Sequence, residues 1–102
     1  SGGLLPLVSF NYARELDLDG QYEKAIEVAH LGWESCVQYG QYATLPSSIE
    51  IIAECYHFLG DDEKSKDYYK QAYYIYKAIG DSHGLDSMKT EIAKYFGSDF
   101  QL

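Results

Sequence analysis

The stretch DGQYEKAIEVAHLG, residues 19–32, meets its own pattern again forty positions on, in LGDDEKSKDYYKQAYYIY, residues 59–76. Gly20 falls on Gly60, and Glu23-Lys24 on Glu63-Lys64. The shift holds outside the stretch as well. Leu5-Pro6 falls on Leu45-Pro46, Ala13 on Ala53 and Gly40 on Gly80. A third copy begins with Leu85, Ile92, Ala93 and Phe96, in the places of Leu45, Ile52, Ala53 and Tyr56. The sequence thus holds two full units of 40 residues and half of a third. Self-similarity at such a period marks one supersecondary unit stacked on copies of itself.

Each unit reads as two helices. In QYEKAIEVAHLGWESCVQY, residues 21–39, small or apolar side chains fall at Tyr22, Ala25, Ile26, Ala29, Gly32, Trp33 and Cys36. That is the i, i+3, i+4, i+7 spacing of one helix face. The matching helix of the second unit carries Ser65, Tyr69, Ala72, Tyr73, Tyr76 and Ile79. The first helices show Leu5, Val8, Tyr12 and Leu16, then Ile49, Ile52, Ala53, Tyr56 and Leu59, and the half unit adds Leu85, Met88, Ile92 and Phe96. No stretch alternates with period two for long enough to argue a strand. Gly20 and Gly60 stand where a helix should stop, and Pro6 and Pro46 suit a first helical turn. A helix pair cannot bury both its faces alone, so stacked pairs are expected to form a solenoid. The fold class is therefore all-α, with about five helices: pairs over 5–39 and 44–79, a final helix over 83–96, and a short tail over 98–102.

The bulk numbers narrow the function classes. With 102 residues the chain suits one domain, here residues 4–97. A net charge of −8, from 8 basic against 16 acidic residues, opposes contact with phosphate backbones, so no nucleic acid is expected as a partner of this domain. No run reaches the roughly 20 apolar residues of a membrane helix, and SGGLLPLVSF lacks the basic start of a signal peptide. A cytoplasmic location without membrane contact is the expectation. Ser1-Gly2-Gly3 reads as a cloning remnant, and the sequence as a domain cut from a longer chain. Cys36 and Cys55 match no zinc spacing and are expected to be buried and reduced, with a disulfide between them as the alternative.

Two stretches imitate catalytic motifs. GDSHG, residues 80–84, has the G-x-S-x-G form of a nucleophile elbow. An elbow needs a strand before it, and DYYKQAYYIYKAI, which precedes it, is an amphipathic helix. GDSHG is therefore expected to be a helix–helix connection in which Gly80 ends one helix and Asp81 or Ser82 caps the next. Glu54-x-x-His57 has the spacing of a di-iron ligand pair, but that site needs two such pairs and two further glutamates. No catalytic residue, metal ligand or cofactor is expected, and the chain is not read as an enzyme.

The turn and second helix in both units, with Gly20, Gly60, Tyr22, Ala25 and Ala72, resemble the tetratricopeptide repeat. The segment Tyr74–Asp81 is similar to the long-helix variant with periods near forty. Departures are Ser65 and Gly32 where that family keeps alanine, and the lack of a closing proline. The resemblance extends to the C-terminal sensor repeats of bacterial helix-turn-helix transcription regulators, in which a short signalling peptide docks in a groove. It implies a cytoplasmic signalling module that binds a peptide or protein segment. It also implies that the first helix of each pair lines the concave face.

On that face the expected contacts are Phe10, Asn11 and Arg14, then Glu50, Glu54 and His57, then Glu91 and Lys94. Tyr12, Ala13 and Leu16 are taken as the buried side of the first helix, with Asp17 on the opposite side beside Arg14. Asn11 stands where the resemblance implies an asparagine gripping a peptide backbone, since an amide both donates and accepts. The glutamates would favour a basic side chain or a free amino terminus. The competing expectation for Arg14, Glu54 and Lys94 is that they pair with one another across adjacent helices, for about 0–1 kcal/mol per pair. Tyr69, Tyr73 and Tyr76 share one face and are expected in the core, while Tyr68 and Tyr74 fall off it. An alternative function is a self-association module, a homodimer into which Phe100 and Leu102 of the tail could dock.

Overall fold

The structure, a computed structural model, describes residues 4–102. Ser1-Gly2-Gly3, read above as a cloning remnant, lie outside them. The chain forms α1 (Pro6–Leu18), α2 (Tyr22–Tyr39), α3 (Leu45–Phe58), α4 (Asp62–Ile79) and α5 (Ser82–Phe96), with no strand among the described residues. The all-α class and the five helices are as the periodicity predicts. None of these helices is long and apolar enough to cross a membrane.

Local chemistry sets the helix ends. Pro6 and Pro46 lie in the first turns of α1 and α3. Gly40 and Gly80 close α2 and α4 in the left-handed conformation, at φ 64° and 74°. The amide after each then bonds a carbonyl five residues back, Gln41 to Cys36 and Asp81 to Tyr76, at 3.0 Å. The same bond closes α1 and α3, from Gln21 to Leu16 and from Asp61 to Tyr56. These closures satisfy carbonyls that a helix end leaves orphaned. The short connections between helices fold each one back on its predecessor.

Each helix packs on the next, and in addition α1 packs on α3 and α3 on α5. No equally close approach joins α2 to α4 among the described residues. They meet instead through long side chains such as His30 and Tyr68, whose rings lie 6.0 Å apart. The odd-numbered helices therefore crowd together while the even-numbered ones splay, which makes the odd-numbered side concave.

Two clusters fill the interior. Ala13, Leu16, Ala25, Val28, Ala29 and Ile52 join α1, α2 and α3. Cys36, Ile49, Tyr69, Ala72, Met88 and Ile92 join α2 through α5. Burying a side chain such as Ile49 or Met88 contributes roughly 1.5–3 kcal/mol. Cys36 and Cys55 are free thiols in this interior. Ser65, the departure from the family's alanine, donates to the Ala53 carbonyl at 2.7 Å and so ties α4 to α3. In the tail, Phe100 folds back against Phe96, with ring centres 5.7 Å apart, beneath Lys66. Leu102 remains exposed.

The buried stripe expected on α1 is corrected. Leu5, Val8 and Tyr12 are 57%, 49% and 41% exposed, and the inward positions are Pro6, Ser9, Ala13, Leu16 and Asp17. Among the described residues nothing packs on the outer side of α1, so its apolar stripe stays open. Ile79 and Leu59, also expected in the core, lie exposed near the ends of their helices.

The tightest point of the fold is Gly32 in the middle of α2. A Cβ there would sit 2.9 Å from Ser9 Cβ and 3.6 Å from Ser48 Oγ. Helix propensity alone favours Gly32→Ala by about 1 kcal/mol, whereas overpacking costs about 1–3 kcal/mol. Ser9 Cβ is anchored directly to a helix backbone and yields little, so steric cost prevails. Urea unfolding is expected to show Gly32→Ala less stable than the native chain by up to about 2 kcal/mol. An equal or higher midpoint would show that α1 and α2 can part without penalty.

Candidate functional site

The concave side holds a groove of about 390 Å³. Its floor and walls come from one face of each odd-numbered helix: Phe10, Arg14 and Asp17 of α1, Ser47, Glu50 and Glu54 of α3, Ser87 and Glu91 of α5. Tyr76 of α4 and Gly84 at the start of α5 close one end. Asp17, Glu50, Glu54 and Glu91 thus bring four carboxyl groups from three helices together, Asp81 adds a fifth at the cap of α5, and Arg14 and His83 line the same groove. No ion pair joins them among the described residues, where the salt bridges are His57–Asp62 and Lys64–Asp61.

Tyrosines hold these acids in place. Tyr76 donates to Glu50 Oε1 at 2.7 Å, and Tyr69 donates to Glu91 Oε2 at 2.7 Å. Tyr95 donates to Glu54 Oε1. Each glutamate thus carries one phenol hydroxyl from a neighbouring helix. Burial pushes the Tyr69, Tyr76 and Tyr95 hydroxyls up, and the nearby carboxylates add to the shift, so they remain donors. Such bonds to charged acceptors contribute about 1.5–3 kcal/mol each, offset by the desolvation of the acid.

The acids themselves are raised. Burial, then a hydrogen bond to Glu54 and that residue's charge, lift Asp17 to about 8, with Arg14 pulling the other way. Burial and the charges of Glu50 and Glu54 lift Glu91 to about 9. Glu50 is also raised, mainly by burial, although its bonds to Tyr76 and Glu91 oppose the shift. Like charges in one desolvated space share protons rather than all ionise.

Of the residues expected on the concave face, Phe10, Arg14, Glu50, Glu54 and Glu91 line the groove together. Asn11, His57 and Lys94 do not. Asn11 is exposed on α1, one helical step round from Phe10. His57 bonds Asp62 Oδ1 through Nδ1 at 2.8 Å and stacks on Tyr95 with ring centres 4.5 Å apart. Lys94 is exposed, its Nζ 5.8 Å above the Tyr95 ring. The expected column of Arg14, Glu54 and Lys94 is therefore broken at α5, which turns Ser87 and Glu91 to the groove instead. Asp17, expected to face away from the buried side, is only 7% exposed and lies at the meeting of core and groove. The tyrosine hydroxyls went unforeseen. Tyr69 and Tyr76 are in the core as expected, but their hydroxyls reach glutamates that line the groove.

GDSHG is a helix–helix junction. Gly80 caps α4, and the Asp81 carboxylate accepts from the Gly84 amide at 2.9 Å. Gly84 has a further role, because a Cβ there would fall 2.3 Å from Tyr76 Cε1. The missing side chain leaves room for the ring whose hydroxyl holds Glu50.

The fold and site define the chain as a stack of helices with a concave, acid-lined groove. Comparison with family models, with curated proteins and with solved structures finds no match in any of the three.

The raised acids carry a pH signature. Between an acid's ordinary value and its raised one, the folded chain holds a proton that the unfolded chain has lost. Stability therefore falls as pH rises through that window, from 3.8 to about 8 for Asp17 and from 4.5 to about 9 for Glu91. Thermal melts are expected to show Tm dropping from pH 5 to pH 9. Glu91→Gln mimics the protonated acid, so it should raise Tm at pH 9 by about 5 °C, the size of a shift of roughly 1 kcal/mol, and leave Tm unchanged at pH 4. A variant no more stable than the native chain at pH 9 would contradict the proton-sharing cluster.

Proposed function

We propose that the chain is a tetratricopeptide-type repeat domain whose concave groove binds a peptide or protein segment. In this reading α1–α2 and α3–α4 are full units and α5 is the first helix of a third. The observation that carries the reading is the imbalance inside the groove, where Asp17, Glu50, Glu54, Asp81 and Glu91 outnumber Arg14 and His83, with no ion pair between them among the described residues. The tyrosine hydroxyls that bond Glu50, Glu54 and Glu91 bring no positive charge, so the cluster lowers its charge only by sharing protons, which an arriving cation could displace.

The occupant is then a basic side chain or a free amino terminus, seated between Glu50, Glu54 and Glu91. Arg14 at the α1 wall would take a carbonyl or carboxylate of the same peptide. Phe10, Leu18 and Ile51, which also line the groove, supply apolar contact. A groove of about 390 Å³ suits one or two side chains rather than a long helix. The likeness of the repeats to bacterial sensor regions supports placing the domain in a larger regulatory protein, such as a transcription regulator.

Fluorescence anisotropy with short labelled peptides tests the reading. Peptides with a free amino terminus and a lysine or arginine beside it are expected to bind, and acetylated neutral peptides are not. Glu50→Gln with Glu54→Gln keeps the tyrosine bonds but removes charge, and should weaken binding about 10-fold or more, equivalent to about 1.4 kcal/mol. Asn11→Ala, outside the groove lining, should change it by less than about 3-fold, as peripheral contacts do. For an amino-acetylated peptide that presents a lysine or arginine, which stays charged, binding should tighten from pH 6 to pH 9 as Asp17 and Glu91 ionise. Affinity indifferent to the double variant would remove the groove from the reading.

A further inference from the structure

The forty-residue period allows each odd-numbered helix to be compared with its fellows position by position. Leu45, Ser48 and Ile52 of α3 are 7%, 0% and 0% exposed because α2 covers them. Leu45 shares a cluster with Cys36, Ser48 Oγ lies 3.6 Å from where a Cβ of Gly32 would be, and Ile52 packs with Val28 and Ala29. On α5 the same register, Leu85, Met88 and Ile92, packs with Tyr69, Ala72 and Tyr76 of α4. On α1 that register is Leu5, Val8 and Tyr12, which stand open to solvent.

We propose that the Leu5–Val8–Tyr12 face of α1 is a docking surface for an amphipathic helix of the α2 kind, packed on α1 as α2 packs on α3. The occupant's chemistry follows from the two filled interfaces. Gly32 stands opposite Ser48, and Val8 is larger than Ser48, so the residue facing Val8 is glycine or alanine. Thiol-sized and small aliphatic side chains flank it, as Cys36 and Ala29 do. A second copy of the chain fits poorly. Its α2 and α4 faces of this kind are already covered by α3 and α5, and two α1 stripes would set large side chains against large ones.

The test adds the helix to the full chain. A second copy of residues 21–44 placed directly before Leu5 carries α2 and its own link into the register in which Thr44 precedes Leu45. The extended chain is expected to melt about 5 °C or more above the native one, the shift typical of newly buried apolar area in a domain of this size. Amide exchange in α1 should slow. Leu5→Lys with Val8→Lys should abolish that gain, yet move the Tm of the native chain by less than about 2 °C, since both positions are exposed there. An extended chain with no gain, or a gain that survives the lysines, overturns the proposal. So does sedimentation showing the native chain to be a dimer that the two lysines dissociate, because the occupant would then be a second copy.

Discussion

Three helices meet at Gly32, where α2 brings no side chain to the contact, and much of the molecule is arranged by that contact. Ser9 of α1 and Ser48 of α3 both crowd the place a Gly32 Cβ would take, at 2.9 Å and 3.6 Å. Neither serine hydroxyl finds a hydrogen-bond partner among the described residues, a cost of about 1–3 kcal/mol for each buried polar group. Small volume at these positions is retained in spite of that cost. With α2 seated so closely, α1 and α3 can also touch each other. That contact bends the stack toward its odd-numbered side and brings Arg14 and Asp17 of α1 opposite Glu50 and Glu54 of α3.

The groove so formed gathers acids where a stable core would exclude them. A lysine or arginine beside each glutamate would relieve the repulsion, but it would also cancel the field. Phenol hydroxyls act differently. Tyr69, Tyr76 and Tyr95 satisfy one acceptor on each of Glu91, Glu50 and Glu54 while adding no charge. Their rings do apolar work at the same time, since Tyr69 and Tyr76 are among the buried residues of the main cluster. The residue type that best joins an apolar body to a polar tip thus links core to groove. The acids so held lower their mutual repulsion by sharing protons instead.

The helices were legible because each is written several times over: in a 3.6-residue stripe, in glycines at the ends and in the forty-residue period. The direction each stripe faces was less so. Periodicity names the apolar face, but burial depends on whether another helix lies against it. Leu16 and Ala13 are buried because α2 and α3 cover them, whereas Leu5, Val8 and Tyr12 carry an equally good pattern with nothing above them. Half of the groove could be read from the shift, since Arg14, Glu50 and Glu54 follow from it. Lys94 could not, because a period assumes equal rotation of every helix. Among the described residues α5 packs only on α3 and α4, and of the two positions the shift names there it turns Glu91 inward and leaves Lys94 outside. The pairing of Tyr95 with Glu54 is set by how helices cross and leaves no mark in either local sequence.

GDSHG shows how a motif can matter through its backbone rather than its named nucleophile. Ser82 is exposed in the first turn of α5. The residues around it do the structural work. Gly80 takes the left-handed conformation that ends α4, and Asp81 caps α5. Gly84 leaves space for the Tyr76 ring, and that ring carries a hydroxyl to Glu50. The two glycines that suggest an elbow are both needed, but for a turn and for a close helix approach. A strand before the serine would be required to strain it outward, and a helix stands there instead. The stretch therefore contributes to the groove by fixing where α5 begins and how near it passes to α4, which decides where Glu91 and Tyr95 fall.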